Sequence, residues 1–358
     1  MPLKLKENCT YDLLVPSSMG VRITPAGRQP VSMSHDFTMQ ATSAETNVLA
    51  VSACLDLHTK VLTTFVKDNP IARFIKAELR SRNIAYEGPE IPAGGPWGYR
   101  HQINIADSGY GVRGAKVTND RAGEVGRTLK ASDFDLDRIF VKEGVRILHL
   151  SGLIAALSPE TSEFCLALAR KAAANGTLIS FDLNYRASFW KDREEELRAA
   201  FTEIASLADI LIGNEEDFQL ALGIAGPEAG GKNTEKIDSF KEMIGRVSAA
   251  FPHAAVYGTT LRQVLNANEN LWGAILCVDG EWYVENPRSI QILDRIGGGD
   301  GFASGMLYGI LKEYAPEQWL QLGWAGGALV TTLLTDYAVL DDEETLWSIY
   351  QGNARVKR

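Results

Sequence analysis

Hydrophobic and polar positions alternate in the central part of the chain with two different periods. Short apolar runs at 146–150, 177–182 and 210–213 are typical of buried strands, while the segments between them repeat apolar residues every three to four positions, as amphipathic helices do. The two helices are predicted at 159–174 and 193–207. This alternation of strand, helix and strand predicts parallel βαβ units and therefore an α/β fold.

Polar residues follow each of the three predicted strands. Ser151-Gly152 follow the first, the segment 182–186 (Asp-Leu-Asn-Tyr-Arg) ends the second, and 214–217 (Asn-Glu-Glu-Asp) follows the third. The carboxyl ends of parallel strands form one edge of the sheet, and ligands bind at that edge in open α/β folds. Helix caps would explain Asn214 or Asp217, but they explain Arg186 poorly.

The first 130 residues have a different pattern. Amphipathic helices are predicted at 44–58 and 71–82 around a strand at 61–66, whereas 13–39 and 97–117 have the character of extended segments. We interpret the extended segments as a β-sheet flap over the main sheet. A flap that closes on a substrate excludes water from the reaction.

The loop from Asp294 to Gly305 carries the clearest candidate chemistry. It follows a predicted strand at 289–293, contains the run Gly297-Gly298-Gly299-Asp300, and leads into a helix predicted to start at Asp300. Glycines let the backbone approach a ligand, and the first amides of a helix favour an anion. Asp300 could accept the proton of an attacking hydroxyl in phosphoryl transfer, although Asp is also a common helix cap.

Two other nucleotide-binding motifs match the sequence only in part. The segment 226–233 nearly matches the P-loop pattern but has Asn233 in place of Ser or Thr and follows a predicted helix instead of a strand. The dinucleotide pattern fits Gly297 and Gly299 but breaks at Phe302, with no βαβ unit after it.

Composition limits the class of protein. The chain has 358 residues, is 45% hydrophobic and has a net charge of −9, which suits a folded α/β protein and argues against nucleic acid as a partner. Its four cysteines form no CxxC pair, so neither a zinc site nor a disulfide framework is indicated. No segment approaches the roughly 18 apolar residues of a membrane span. We therefore expect a cytoplasmic protein without a membrane partner.

Together, several motifs resemble a known family. Asp294–Asp300 resembles the DTxGAGD signature of the ribokinase (PfkB) carbohydrate kinases, and its Asp-Arg-x-Gly-Gly-Gly-Asp form resembles the 2-keto-3-deoxygluconate kinase branch. The segments 182–186, 214–217, 260–262 and 270–272 resemble that branch in order and approximate spacing, so the similarity covers nearly the whole length from about residue 10.

The resemblance implies a fold and a domain organisation. It implies a single ribokinase-like domain over residues 1–358, with a three-layer α/β/α arrangement around a mostly parallel central sheet. A small β-sheet lid would come from two inserted segments, approximately 13–42 and 94–121. Exposed edges of such a lid predict a homo-oligomer, with a dimer favoured.

The resemblance also implies roles for individual residues. The predicted catalytic residues are Asp300 as general base and Gly297, Gly298 and Gly299 as the anion hole. The predicted ATP-binding residues are Asn214, Thr260, Arg262 and Gly299, and the predicted magnesium-associated residues are Glu216 and Asp217. The predicted substrate-binding residues are Arg186 and Arg121, for a carboxylate, together with Asn47 and Tyr99. The family has Glu where this chain has Asp217, one methylene shorter.

The N-terminal half departs from the family pattern. Ser17-Ser18 stand in place of Gly-Glu or Gly-Asp after the first strand, and Thr42-Ser43 stand in place of two glycines. The first change removes a carboxylate at position 18, which would be a strong acceptor for sugar hydroxyls.

The predicted activity is ATP-dependent phosphorylation of a small sugar acid, 2-keto-3-deoxygluconate foremost, with ATP and Mg²⁺ as cofactors and a monovalent cation left open. One alternative is a PfkB kinase for another sugar, such as fructose or 5-dehydro-2-deoxygluconate. An alternative of another class is a non-catalytic sugar- or nucleotide-binding protein.

Overall fold

The computed structural model describes residues 3–226 and 233–354. Residues 227–232 of the segment that resembles a P-loop lie outside the described residues. The chain divides into two compact units. Unit 1 comprises Met1–Pro16, Arg127–Leu261 and Ala274–Val284, and unit 2 comprises Ser17–Gly126, Arg262–Gly273 and Glu285–Arg358.

The strands, in chain order, are β1 (Tyr11–Pro16), β2 (Gly20–Pro25), β3 (Phe37–Thr42), β4 (Thr59–Leu62), β5 (Phe65–Val66), β6 (Ile84–Glu87), β7 (Glu90–Ile91), β8 (Gln102–Asp107), β9 (Lys116–Asp120), β10 (Val145–Ser151), β11 (Leu178–Asp182), β12 (Ile210–Ile212), β13 (Val256–Asn266), β14 (Glu269–Val278) and β15 (Glu281–Gln291). The helices are α1 (Ala44–Val48), α2 (Ala50–Cys54), α3 (Pro70–Ser81), α4 (Gly152–Ala155), α5 (Pro159–Ala174), α6 (Ala187–Trp190), α7 (Glu194–Leu207), α8 (Glu215–Leu222), α9 (Asn233–Ala250), α10 (Gly298–Leu311), α11 (Pro316–Thr331) and α12 (Glu343–Tyr350).

Unit 1 contains the parallel sheet that the sequence predicts. Its strands pair in the order β13–β12–β11–β10–β1, and each of these four pairings is parallel. The strands predicted at 146–150, 177–182 and 210–213 are β10, β11 and β12, and the two predicted helices are α5 and α7. Strands buried on both faces are typical of such sheets, which explains their continuous apolar runs. The α/β fold class is confirmed.

The helix between β10 and β11 shows why these boundaries could be predicted. Ser158 caps α5 by accepting a hydrogen bond from the backbone N–H of Thr161, and Pro159 takes the first helical position. The helix ends at Asn175-Gly176, where Gly176 adopts a left-handed φ of 69°.

Unit 2 contains a separate four-stranded sheet with the order β3–β2–β8–β9. Its strands come from 20–42 and 102–120, so the extended character predicted for 13–39 and 97–117 is confirmed. The unit also contains the parallel pairs β4–β6 and β5–β7. The helix predicted at 44–58 is instead two short helices, α1 and α2, which meet at Leu49.

Helices α10 and α11 of unit 2 pack closely along glycines. A Cβ on Gly305 would lie 2.2 Å from the backbone oxygen of Leu322, and one on Gly301 would lie 2.7 Å from that of Gly326. Larger residues would therefore separate the helices and move the start of α10. Among the residues that the structure describes, no helix is long and apolar enough to cross a membrane.

Candidate active site

The loop before α10 has the geometry of an anion-binding turn. Gly297 is the N-cap of α10 with a left-handed φ of 82°, and its carbonyl accepts a hydrogen bond of 2.8 Å from the N–H of Gly301. A Cβ on Gly297 would lie 2.0 Å from the backbone oxygen of Asp336, whereas a Cβ on Gly299 would meet no atom within 4 Å. Close packing therefore fixes the turn at Gly297. The backbone at Gly299 is free of close neighbours, so a phosphate oxygen could approach the helix amides there.

Asp300 lies in the first turn of α10 and is half-buried. The side-chain amide of Asn47 donates a hydrogen bond of 2.9 Å to Oδ2 of Asp300. Asn47 is only 2% exposed and lies on α1, whose neighbour α2 is held to α10 by a 3.0 Å hydrogen bond from the N–H of Val51 to Oγ of Ser304. Two residues that the sequence predicts separately, Asn47 and Asp300, are thus in direct contact.

Two buried carboxylates face the serines that replace the family residues. Oγ of Ser17 donates to Oε2 of Glu45 at 2.5 Å, and Oγ of Ser18 donates to Oε1 of Glu124 at 2.5 Å. All four residues are buried. Position 18 itself carries no carboxylate, but Glu45 and Glu124 bring two carboxylates to this region from other parts of unit 2.

The carboxylate of Glu124 also forms an ion pair with Arg121. Nη1 of Arg121 lies 2.8 and 3.0 Å from the two carboxylate oxygens of Glu124. Pairing with the buried carboxylate of Glu124 orients the partly exposed guanidinium of Arg121. Tyr99, by contrast, has an exposed side chain, and its backbone N–H donates to the carbonyl of Ala93 at 2.7 Å.

In unit 1, Asn214 and Asp217 form a capping box at the start of α8. The N–H of Asp217 donates to Oδ1 of Asn214 at 3.0 Å, and the N–H of Asn214 donates to Oδ2 of Asp217 at 2.9 Å. Oδ1 of Asp217 accepts a further hydrogen bond of 2.9 Å from the N–H of Tyr185. Burial raises the pKa of Asp217, against the lowering effect of these hydrogen bonds. Both oxygens are thus engaged in fixing the loops after β11 and β12.

The other predicted residues of unit 1 are more accessible. Glu216 is exposed beside Asp217, and Thr260 is half-buried on β13. Arg186 is exposed, with Nη1 donating to the carbonyl of Tyr185 at 2.7 Å. Arg262, on the part of β13 that belongs to unit 2, is also exposed.

No group of three or more His, Cys, Asp or Glu within residues 3–226 and 233–354 is arranged to hold a metal ion. An Mg²⁺ ion carried by ATP keeps several waters and phosphate oxygens as ligands, and it needs only one or two carboxylates from a protein. Glu216 fits such a role because its carboxylate is accessible, and Asp217 fits it poorly because its oxygens are engaged.

Several functional candidates carried no recognisable sequence signal. Arg22 forms a buried ion pair with Asp294, which is 272 residues later, and Oγ of Ser108 donates to the same carboxylate at 2.7 Å. Asp336 accepts hydrogen bonds from Thr42 and Gln40. These contacts join segments that are distant in the sequence, so residue spacing could not predict them.

Comparisons with known proteins show which family the chain resembles. The family model described as "pfkB family carbohydrate kinase" matches residues 129–341. The chain is 27% identical over 217 residues to a 5-dehydro-2-deoxygluconokinase of Clostridium perfringens; this match covers 60% of the chain and spans only 56% of that relative's length. It is 24% identical to a 2-dehydro-3-deoxygalactonokinase of Haloferax volcanii, over 98% of the chain and 100% of that protein.

The crystal structure of a 2-dehydro-3-deoxygluconokinase from Thermotoga maritima superposes with a TM-score of 0.85 and 26% identity. The superposition covers 96% of this chain and 98% of that one.

Proposed function

Because the chain belongs to the pfkB family of carbohydrate kinases, we propose that it transfers the γ-phosphate of ATP to a hydroxyl group of a keto-deoxy sugar acid. We propose 2-keto-3-deoxygluconate as the substrate. The observation that carries this proposal is the pair Asn47–Asp300 next to the open backbone of Gly299. A carboxylate held at the start of a helix, beside amides that favour an anion, is suited to phosphoryl transfer.

The proposed reaction uses Asp300 as general base. The substrate hydroxyl gives its proton to Asp300, its oxygen forms a bond to the γ-phosphorus, and the bond between that phosphorus and the β–γ bridging oxygen breaks to release ADP. The amides after Gly297 stabilise the negative charge on the transferring group. Asn47 orients the carboxylate of Asp300.

The polar groups of unit 2 suit a ligand with several hydroxyls. Glu45 lies two residues before Asn47 on α1, and carboxylates are strong acceptors for hydroxyl groups. Oδ1 of Asn47 is buried and accepts no hydrogen bond from the described residues, so it offers a further acceptor. We propose that Glu45, Glu124 and Asn47 bind the sugar hydroxyls.

We propose that Arg186 and Arg121 recognise the acid group of the substrate, with Tyr99 on the rim of the site. Arginine binds carboxylates through two parallel hydrogen bonds, which favours a sugar acid over a neutral sugar. The second candidate substrate is 5-dehydro-2-deoxygluconate, which the Clostridium relative favours by its name. Both candidates carry a carboxylate, a ketone and several hydroxyls.

We further propose roles for the nucleotide and the lid. Asn214, Thr260, Arg262 and Gly299 bind ATP, and Glu216 contacts the waters of the ATP-bound Mg²⁺. The whole chain acts as one catalytic domain in which the sheet β3–β2–β8–β9 is the lid. The edge strands of that sheet expose Phe37, Met39 and Val117, which supports a homodimer formed through the lid.

The test is a coupled ADP-release assay with Mg-ATP. The acceptors are 2-keto-3-deoxygluconate, 2-keto-3-deoxygalactonate, 5-dehydro-2-deoxygluconate, fructose and ribose. We expect the highest kcat/KM with 2-keto-3-deoxygluconate. Turnover confined to neutral sugars would overturn the sugar-acid assignment, and binding without turnover would favour the non-catalytic alternative.

A pair of variants tests the carboxylate contact. Arg186→Met should raise KM for the acid about 10- to 100-fold, because a hydrogen bond between charged groups is lost, and leave KM for ATP unchanged. Arg170→Met is the matched control, because Arg170 is an exposed arginine of α5 that pairs with Glu203. Equal effects in both variants would contradict the role of Arg186.

A further inference from the structure

A buried ionic cluster lies directly behind the anion-binding turn in unit 2. Arg22 is 1% exposed and Asp294 is 0% exposed, and Nη2 of the arginine pairs with Oδ2 of the aspartate. Asp336 is the third member of the cluster. Burial raises the pKa of Asp336, while the positive charge of Arg22 opposes this shift. The guanidinium of Arg22 thus pairs directly with the carboxylate of Asp294, and it acts on Asp336 together with the charge of Arg82.

Both carboxylate residues support the turn itself. Oδ1 of Asp294 accepts a hydrogen bond of 3.0 Å from the N–H of Ile296, the residue before Gly297. The backbone oxygen of Asp336 packs on Gly297 so closely that a Cβ there would lie 2.0 Å away. The side chain of Asp336 is fixed in turn by Thr42 and by Gln40, whose Nε2 lies 3.1 Å from Oδ1. A change in this cluster would therefore displace the turn, because Asp294 is hydrogen-bonded to Ile296 and Asp336 packs on Gly297.

From these contacts, and resting on the kinase function proposed above, we infer that Arg22 is the internal counter-cation of the anion hole and that turnover requires no monovalent cation. Without Arg22, the buried carboxylate of Asp294 would have no counter-charge and would repel a transferring phosphate, and repulsion is strong where water is excluded. A cation fixed by the fold cancels that repulsion without reorganising during the reaction.

The residues do not suit a bound monovalent cation at this position. Oδ2 of Asp294 is already in contact with the guanidinium of Arg22 and with the hydroxyl of Ser108, and its other oxygen accepts from the N–H of Ile296. Nε and Nη1 of Arg22 are also buried, without hydrogen-bond partners among the described residues, so the space beside them is closed to solvent. Arg22 is thus a positioning residue that acts through Asp294, Asp336 and the turn.

The first experiment measures the cation dependence of the intact enzyme. ATP is supplied as its tetramethylammonium salt with MgCl₂, and KCl, NH₄Cl and tetramethylammonium chloride are compared at equal ionic strength. We expect kcat to agree within about twofold in the three salts, because a fixed guanidinium already supplies the charge. Activation by K⁺ or NH₄⁺ of tenfold or more would overturn the inference.

The second experiment removes the internal cation. Arg22→Ala should lower kcat about 100-fold, as small displacements of a catalytic turn do. It also leaves a space the size of a guanidinium, so K⁺, NH₄⁺ or low concentrations of guanidinium should restore at least a tenth of the wild-type kcat, and tetramethylammonium should not. The same small cations should raise the Tm of this variant. A merely structural role of Arg22 would show no rescue of kcat by small cations.

Arg82→Ala is the matched control. Arg82 is another buried arginine of unit 2 whose charge acts on Asp336, but it stacks on Tyr337 and donates to the carbonyl of Thr46 instead of pairing with Asp294. We expect no cation rescue in this variant. If Arg22→Ala does not fold, Arg22→Lys and Arg22→Met test the inference instead. The lysine variant should keep at least a tenth of the wild-type kcat, and the methionine variant should not.

The failure of this inference is distinguishable from failure of the kinase proposal. Wild-type protein that turns over no acceptor in any salt contradicts the kinase proposal. Wild-type turnover that depends on K⁺, or an Arg22→Ala defect that no small cation repairs, contradicts only the role of Arg22.

Discussion

The side-chain amide of Asn47 donates a hydrogen bond of 2.9 Å to the carboxylate of Asp300, although 253 residues separate the two in the sequence. Asn47 is buried on α1, and Asp300 lies in the first turn of α10. A carboxylate that must receive a proton from a bound hydroxyl works best when its orientation is set before the substrate arrives. The proposed general base is thus oriented by a residue from the N-terminal half of the chain.

Replacing Asn47 should therefore reduce catalysis more than stability. Asn47→Ala removes the donor to Asp300, and we expect kcat to fall about 10- to 100-fold because the carboxylate loses its fixed orientation. Steady-state kinetics with saturating ATP measures this effect. Ser304→Ala is the control, since Ser304 also lies on α10 but joins it to α2 through the N–H of Val51; it should lower stability by about 1 kcal/mol and preserve kcat. A larger kcat loss in Ser304→Ala than in Asn47→Ala would contradict this role.

The two ends of the glycine run should respond differently to alanine. Gly299→Ala should fold with an unchanged or slightly higher Tm, because its Cβ meets no atom and alanine favours helix, yet it should lose activity because the methyl group projects into the proposed phosphate position. Gly297→Ala should have a lower Tm and also lose activity, because φ at this position is left-handed and the added Cβ would collide with Asp336. Differential scanning calorimetry and kcat together test the pair. Full activity of Gly299→Ala would contradict the anion hole.

Substitutions at Asp217 and Glu216 should have different effects. The first should lower stability, and the second should change the Mg²⁺ requirement. Asp217→Ala leaves the N–H groups of Asn214 and Tyr185 without their acceptor, so it should destabilise the protein by about 1 to 3 kcal/mol in urea unfolding. Glu216→Gln changes an exposed side chain and should leave stability unchanged, while raising the Mg²⁺ concentration needed for half-maximal rate. A normal Mg²⁺ requirement in Glu216→Gln would remove Glu216 from the metal site.

Acid should destabilise unit 1 through His149. This residue is fully buried on β10, its Nδ1 lies 3.0 Å from Oγ of Ser180, and burial lowers the pKa of the imidazole to about 3. The unfolded chain takes up a proton below its ordinary pKa of about 6.5 and the folded protein does not, so stability is lost as pH falls from about 6.5 towards 3. The expected loss between pH 8 and pH 5 is about 2 kcal/mol.

Urea unfolding at these two pH values measures the His149 contribution. His149→Gln should remove about 2 kcal/mol of the difference, whereas His35→Gln, at an exposed position, should leave it unchanged. An identical pH dependence in wild type and His149→Gln would show that the imidazole does not contribute.

The sequence predicts local features of this protein better than its long-range contacts. The bounds of α5 follow from a serine cap, a proline and a glycine, all within the helix and its immediate flanks, and the structure has the helix at 159–174 as predicted. The prediction of a helix at 44–58 misses the division at Leu49, because the same apolar spacing continues through both α1 and α2.

The candidate active site shows the same difference between local features and long-range contacts. The glycine turn and Asp300 are contiguous, so their pattern is visible in the sequence. The carboxylates of Glu45 and Glu124 could not be predicted, because each reaches Ser17 or Ser18 only through the folding of unit 2. The ion pair between Arg22 and Asp294 is a stronger case, since neither residue's neighbours in the sequence indicate a partner.

Asp300 is the proposed base of a sugar-acid kinase, and the Asp300→Asn variant separates this role from substrate binding. Single-turnover phosphate transfer from ATP and equilibrium binding of the sugar acid and ADP would be measured on the variant and on wild type. Asparagine keeps the shape and an acceptor for Asn47 but cannot take the proton. We expect the transfer rate to fall about 10²- to 10⁴-fold with both dissociation constants within about threefold of wild type. A transfer rate within about tenfold of wild type would contradict the account.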